Sequence, residues 1–126
     1  FLICFEYLMK IYGSDEIKNS SEILLVICGE VFDVSSGVNF YHPGKCYECL
    51  IRKDASRGYA LGSLEEKNLC ESIEDIDEKY LPDLRGYLNF FNNHKTYTHK
   101  GICEGIFYNL HGEKTELYLT FLENTN

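Results

Sequence analysis

The chain has 126 residues, 44% of them hydrophobic, which is the scale of one domain with an ordinary core and excludes disorder as the main state. Lys and Arg number 12 against 20 Asp and Glu, a formal net charge of -8, so the chain repels nucleic-acid backbone and DNA or RNA binding is set aside. No apolar run approaches the roughly 18–20 residues that a membrane-crossing helix needs.

In chain order, residues 1–5 read either as the tail of a cut signal or anchor segment or as the first turn of a core helix. Phe5, Leu8, Met9 and Tyr12 have helical spacing and predict a helix ended by Gly13. Residues 15–21 are polar and predict a loop, with a glycosylation-type triplet at Asn19-Ser20-Ser21 that is common by chance. Residues 23–28 predict a buried strand, Gly29-Glu30 a turn, and residues 31–34 a second strand. After Gly37 the pattern predicts short helices at 47–53, 55–61 and 64–69, the last capped by Ser63. Ile76, Tyr80, Leu84, Tyr87, Leu88 and Phe91 then fall on one helical face, with Asp77 as its cap and Pro82 either kinking it or marking its first turn. Glu65, Glu66 and the acidic residues of 71–78 read as a solvated helix face and loop. Residues 97–108 predict a returning strand or hairpin, and 117–122 a last helical turn or strand. Early strands, central short helices and a late strand make an α+β domain. Its expected limits are 5–108, with a C-terminal extension over 109–126.

The most telling stretch runs over 31–47, Val-Phe-Asp-Val-Ser-Ser-Gly-Val-Asn-Phe-Tyr-His-Pro-Gly-Lys-Cys-Tyr, followed by Lys-Asp-Ala-Ser-Arg-Gly at 53–58. It sets Tyr41 and Tyr47 around a Pro43-Gly44 turn. An aromatic beside a turn, taken alone, is core packing. A phenolate is also an adequate axial ligand for ferric haem iron, and a haem site needs an apolar slot, an iron ligand and polar groups at its rim. Tyr47 stands where such a ligand would, with Leu50 and Ile51 as slot walls. Free tyrosine titrates near 10, so ligation requires the iron to favour the anion, and a hydrogen bond from a second hydroxyl adds to this. Tyr41 and Tyr97 are the candidates for that second hydroxyl. A phenolate favours ferric iron and makes a poor electron shuttle.

These residues resemble the haem-binding core of the membrane-associated progesterone receptor family, the tyrosine-bearing branch of the cytochrome-b5-like fold, on its neuferricin- and neudesin-like side. The family's strand motif matches residues 31–37, its Phe-Tyr pair matches Phe40-Tyr41, and its iron-ligating tyrosine matches Tyr47. Its Asp-Ala-Ser-Arg-Gly motif matches 54–58, and its rim Lys and Tyr match Lys95 and Tyr97. The resemblance implies ferric b-type haem held by Tyr47, with Tyr41, Tyr97, Lys95 and Arg57 around it. It also implies a regulatory or signalling role without catalysis, a membrane-protein or receptor partner, a haem-linked homodimer, and an endomembrane or secreted location. A haem-free interaction module and a b-type electron carrier are the alternatives. Three departures stand out. Arg52 replaces a family glycine and would either crowd the slot or reach a propionate. The segment before Tyr97 is longer. Tyr87 stands near the position of a family Trp.

His42-Pro43-Gly44 is similar to the His-Pro-Gly-Gly of bis-histidine cytochromes b5, but Lys45 replaces the second Gly and no histidine lies between His42 and His94. His42 therefore reads as a solvent-facing turn residue or a rim contact before it reads as a ligand. Cys46 and Cys49 form a Cys-x-x-Cys pair. It reads as incidental thiols, as a reactive pair or disulfide, or as part of a zinc set with His42 and Cys70 or Cys103. Cys4, Cys28 and Cys103 lie in apolar segments and predict buried thiols. No triad, phosphate loop or convincing carboxylate pair is present, so no catalytic constellation is expected.

Overall fold

Four short strands make one mixed sheet in the computed structural model, which describes residues 9–126. They are β1 (Lys10–Tyr12), β2 (Leu24–Ile27), β3 (Glu30–Asp33) and β4 (Thr98–Cys103), in the order β1-β4-β3-β2. The β2–β3 hairpin turns on Cys28 and Gly29, whose φ values of 50° and 71° are both left-handed, as a type I′ turn demands. A side chain at Gly29 would put its Cβ 2.9 Å from Tyr108 Cδ2, so the second position has no room for one. The two-residue period sends Leu25 and Ile27 to the main core and Leu24 and Val26 to a smaller one with Tyr12, Ile17, Val31 and Cys103.

The helix predicted over 5–12 falls partly on residues 5–8, outside the described residues. Lys10–Tyr12 is instead a strand, paired in parallel with β4 (Ile11 opposite Ile102). The loop expected at 15–21 contains α1 (Ser14–Lys18), with Asp15 and Glu16 in its first turn, Lys18 in its last and Ile17 buried beneath it.

The central segment holds α2 (Val38–Tyr41), a 3-10 turn (Glu48–Leu50), α3 (Ser56–Leu61), 3-10 turns at Glu66–Asn68 and Glu78–Tyr80, and α4 (Leu81–Asn93). The helix predicted over 47–53 shrinks to that first 3-10 turn because Ile51 and Asp54 bridge to Leu25 and Val26 of β2. Pro82 occupies the first turn of α4, where its missing N–H costs nothing, and Asp77 caps the preceding 3-10 turn by accepting from Lys79 N at 2.9 Å. Leu84, Leu88 and Phe91 bury one face of α4 against the sheet. The final element, α5 (Glu116–Asn124), is capped by Thr115. It places Tyr118 and Phe121 in the same core, so residues 109–126 add to the domain's apolar centre.

Glu30 is a buried carboxylate that ties this last helix down. It accepts hydrogen bonds from the hydroxyls of Tyr108 and Tyr118 (the latter at 2.7 Å) and pairs with His99 Nε2 at 2.9 Å. Burial pushes its pKa up, but the bonds from His99, Tyr108 and Tyr118 outweigh burial and hold the carboxyl below its usual value of 4.5. A depressed folded-state pKa contributes stability that is complete above the unfolded value and is lost as pH falls through the folded one. Glu30→Gln is therefore expected to cost about 2 kcal/mol at neutral pH. It should also flatten the acid limb below pH 4.5, as read from urea midpoints across pH.

Candidate functional site

A cleft of 990 Å³ opens where α2 and the turn after it meet α3 and α4, at the upper end of the roughly 300–1,000 Å³ usual for small-molecule sites. Phe40, Tyr41, Tyr47 and Leu50 line it from the first segment, and Tyr59, Ala60 and Leu61 from α3. Tyr87, Phe90 and Phe91 come from α4, with His94 and Tyr97 beyond its end. Phe40, Leu64, Tyr87 and Phe90 are each between 45% and 53% exposed around it, and such a grouping of exposed apolar side chains marks a binding surface. Ile51, expected on the wall, is buried in the core instead.

Three of the predicted site residues meet here. Tyr47 is 39% exposed while Tyr41 is 8% exposed, with ring centroids 6.2 Å apart. The edge of Tyr41 meets Tyr97 at 6.0 Å, and His94 stacks on Tyr97 at 3.6 Å with planes 9° apart. Gly37 makes this cluster possible: a Cβ there would lie 2.7 Å from Tyr97 Oη and 2.8 Å from Tyr41 Cδ2. Burial, with the neighbouring Tyr97, Tyr47 and Cys46 adding to it, pushes the Tyr41 phenol well above its usual range, and burial raises Tyr97 as well. Both stay neutral at physiological pH and keep a proton to donate. The Tyr59 hydroxyl is buried at the cleft wall with no hydrogen-bond partner among the described residues.

The other two predicted residues are placed differently. Lys95 lies in a shallow depression with Asn89 and Asn93 that shares Phe90 and His94 with the cleft, so it stands beside the mouth rather than on the wall. Arg57 is off the cleft. Its guanidinium donates to Asn68 Oδ1 at 3.1 Å and Ser72 O at 3.3 Å and pairs with Asp75, which commits it to the loop after α3.

Arg52 neither crowds the cleft nor reaches into it. Its φ of 66° is left-handed, the conformation that suits glycine, and its Nε donates to Ser20 O at 2.7 Å, away from the cleft. Arg52→Ala keeps the backbone strain and loses that bond, an expected cost of about 1–2 kcal/mol. Arg52→Gly relieves roughly 1–2 kcal/mol of strain and should fall close to the wild type in a urea titration.

His42 Nε2 lies 2.7 Å from Ser35 O, and since a carbonyl only accepts, this nitrogen carries a proton and pins the end of α2 to the preceding loop. That bond excludes Nε2 as a ligand atom in this conformation and makes His42 a structural turn residue. Among the described residues no three His, Cys, Asp or Glu side chains gather as a metal site, so the zinc set is not assembled.

Sequence reasoning assigned no role to Tyr59, Phe90 or His94. The signal was there along α4 and at its two ends: Tyr80, Tyr87, Phe90 and His94 make a second stripe at helical spacing beside the buried Leu84, Leu88 and Phe91. An aromatic stripe that the core does not absorb needs another occupant.

No protein-family model matches the chain. Neuferricin of Danio rerio is 36% identical over 102 residues, 81% of this chain and 38% of that protein. A protein of Arabidopsis thaliana described as having a cytochrome b5 like fold superposes with a TM-score of 0.68 at 27% identity, covering 79% of this chain and 94% of its own. This is a neuferricin-like domain of the cytochrome b5-like fold. A putative steroid-binding protein from Arabidopsis agrees with that placement, with a TM-score of 0.66 and 27% identity over 77% of this chain and 99% of its own. The neuferricin-like chain spans well under half the length of the curated relatives it matches.

Proposed function

We propose that this neuferricin-like domain binds ferric b-type haem in the tyrosine-lined cleft, with Tyr47 as the axial ligand. The observation that carries the reading is a partly exposed phenol at an apolar cleft, beside two neutral tyrosines, Tyr41 and Tyr97. Haem bound there would supply a ferric centre held in that oxidation state by its phenolate ligand. Tyr41 and Tyr97, both neutral, would be the hydrogen-bond donors nearest the ligand in the cleft. Phe40, Tyr87 and Phe90 exclude water from it. Lys95 offers a cation beside the mouth for carboxylates.

The protein acts as a haem-dependent regulatory or signalling component, and no residue in it is assigned a catalytic step. Its partners are a membrane protein or receptor and a second copy joined through the exposed haem face, in the endomembrane system or outside the cell. A steroid is the second reading, favoured by the apolar walls and by the description of one Arabidopsis neighbour as a putative steroid-binding protein.

Haemin titration of the purified domain tests the proposal. A Soret band that saturates at one haem per chain supports it. Without saturable binding the haem reading fails, and displacement of a fluorescent sterol from the same cleft is the next assay.

A further inference from the structure

Cys46 and Cys49 bracket Tyr47, and nothing in the proposed function uses them. Residues 45–51 form consecutive tight turns: Glu48 N donates to Lys45 O at 3.2 Å, Leu50 N to Tyr47 O at 3.0 Å and Ile51 N to Glu48 O at 3.1 Å. Cys49 lies in the 3-10 turn and Cys46 two residues before it; residues three apart in a tight turn have Cα atoms within about 7 Å, a range that contains the separations usual in disulfides. Both thiols are free; Cys46 is exposed and Cys49 is half-buried against the core. An exposed thiol beside a sheltered one is the arrangement in which the first is attacked from solution and the second resolves it. The turn is also tied to the cleft, because Tyr47 N donates to Phe40 O at 2.9 Å and the Tyr47 ring stacks on Phe40.

We propose that Cys46 and Cys49 form a thiol–disulfide switch that locks the turn carrying Tyr47 and so sets how tightly the cleft holds its ligand. The oxidant is a low-molecular-weight disulfide such as oxidised glutathione. The Cys46 sulfur displaces one glutathione from it to give a mixed disulfide. The Cys49 sulfur then attacks Cys46 and releases the second glutathione. The protein thiols lose two electrons, the glutathione disulfide gains them, and the two thiol protons end on the two glutathiones. Closing the bond across a turn already near the right separation fixes the direction of Tyr47, and this preorganisation slows ligand release. The coupling to ligand rests on the reading of Tyr47 as the iron ligand; the disulfide itself does not.

The test equilibrates the domain in glutathione buffers from reducing to oxidising and reads three quantities: the Cys46–Cys49 link by peptide mass, the Tyr47 ring resonances by NMR without haemin, and the haemin dissociation rate. The expected result is a link that forms reversibly, a shift and sharpening of the Tyr47 signals, and dissociation slowed about ten-fold. Cys46→Ser should abolish all three changes, and Cys70→Ser should leave them intact. Absence of the link in oxidising buffer overturns the proposal, as does a link that leaves the Tyr47 signals unmoved. Failure of the reduced protein to bind haemin would instead overturn the haem reading, with the mass and NMR readouts still deciding the switch.

Discussion

Tyr47→Phe is expected to weaken haemin binding by more than 100-fold and to abolish the high-spin ferric spectrum of a tyrosine-ligated centre. The substitution removes one oxygen and keeps the ring that packs at 6.3 Å from Phe40 and 6.2 Å from Tyr41, so the cleft wall survives. Tyr47 is 39% exposed and its hydroxyl makes no hydrogen bond within the described residues, so folding stability should stay within about 0.5 kcal/mol of the wild type. The assay therefore separates ligation from packing. Tyr41→Phe serves as the comparison. It removes a donor beside the ligand rather than the ligand, so affinity should fall about 10–100-fold while the spectrum keeps its type. Equal binding by Tyr47→Phe and wild type would move the iron ligand to another residue of the cleft, with His94 the next to replace.

The part of this site that the sequence displays is the part built by neighbours in the chain. Tyr41, the Pro43-Gly44 turn and Tyr47 fall within seven residues, and local turn chemistry suffices to bring the two rings together. Tyr97 can be named as a candidate hydroxyl, but nothing local to it places it at the site, since what admits it is the missing side chain of Gly37, sixty residues earlier. Where long-range pairing decides, local periodicity misleads. Tyr12 closes a helically spaced set with Phe5, Leu8 and Met9, yet Lys10–Tyr12 pairs with β4, and the segment after Tyr47 is drawn out of a helix by Ile51 and Asp54 pairing with β2. The direction of a long cation is likewise set by acceptors that only the fold assembles. Arg52 turns to the Ser20 carbonyl, and Arg57 to Asp75 and the chain around it. The stripe of Tyr80, Tyr87, Phe90 and His94 was ambiguous for another reason, since a helix with aromatics on two faces looks like a wider core until the second face is found beside a cleft.

Asp54→Ala is expected to cost about 4 kcal/mol of stability, the largest loss at any position outside the apolar core. Asp54 is partly buried, with its carboxylate turned inward, and accepts from Gly29 N at 2.9 Å, from Ser56 N at 3.0 Å and from the Ser56 hydroxyl, whose oxygen in turn accepts from Cys28 N at 2.8 Å. This knot fastens the start of α3 to the left-handed turn of the β2–β3 hairpin. It is why Asp-Ala-Ser sits where it does and why α3 can present Tyr59 to the cleft. Removing the carboxylate leaves buried donors unpaired, and haemin binding should weaken with it. The same group governs a pH dependence opposite in sign to that of Glu30. Burial outweighs the three hydrogen bonds and pushes the Asp54 carboxyl from 3.8 up to about 6. The folded state then holds this proton more tightly than the unfolded state does, so stability is greatest below the unfolded value and falls as pH rises through the window up to about 6. A shift of that size corresponds to about 3 kcal/mol, and although the Glu30 slope overlaps the lower part of this window, between 3.8 and 4.5, the part above 4.5 is clear of it. Asp54→Asn keeps the shape and one acceptor but cannot titrate, so its stability should run flat where the wild type declines. Urea midpoints for both proteins at pH 4, 5, 6 and 7 measure this, and parallel curves would show that Asp54 is ionised throughout and that its three donors, not burial, control it.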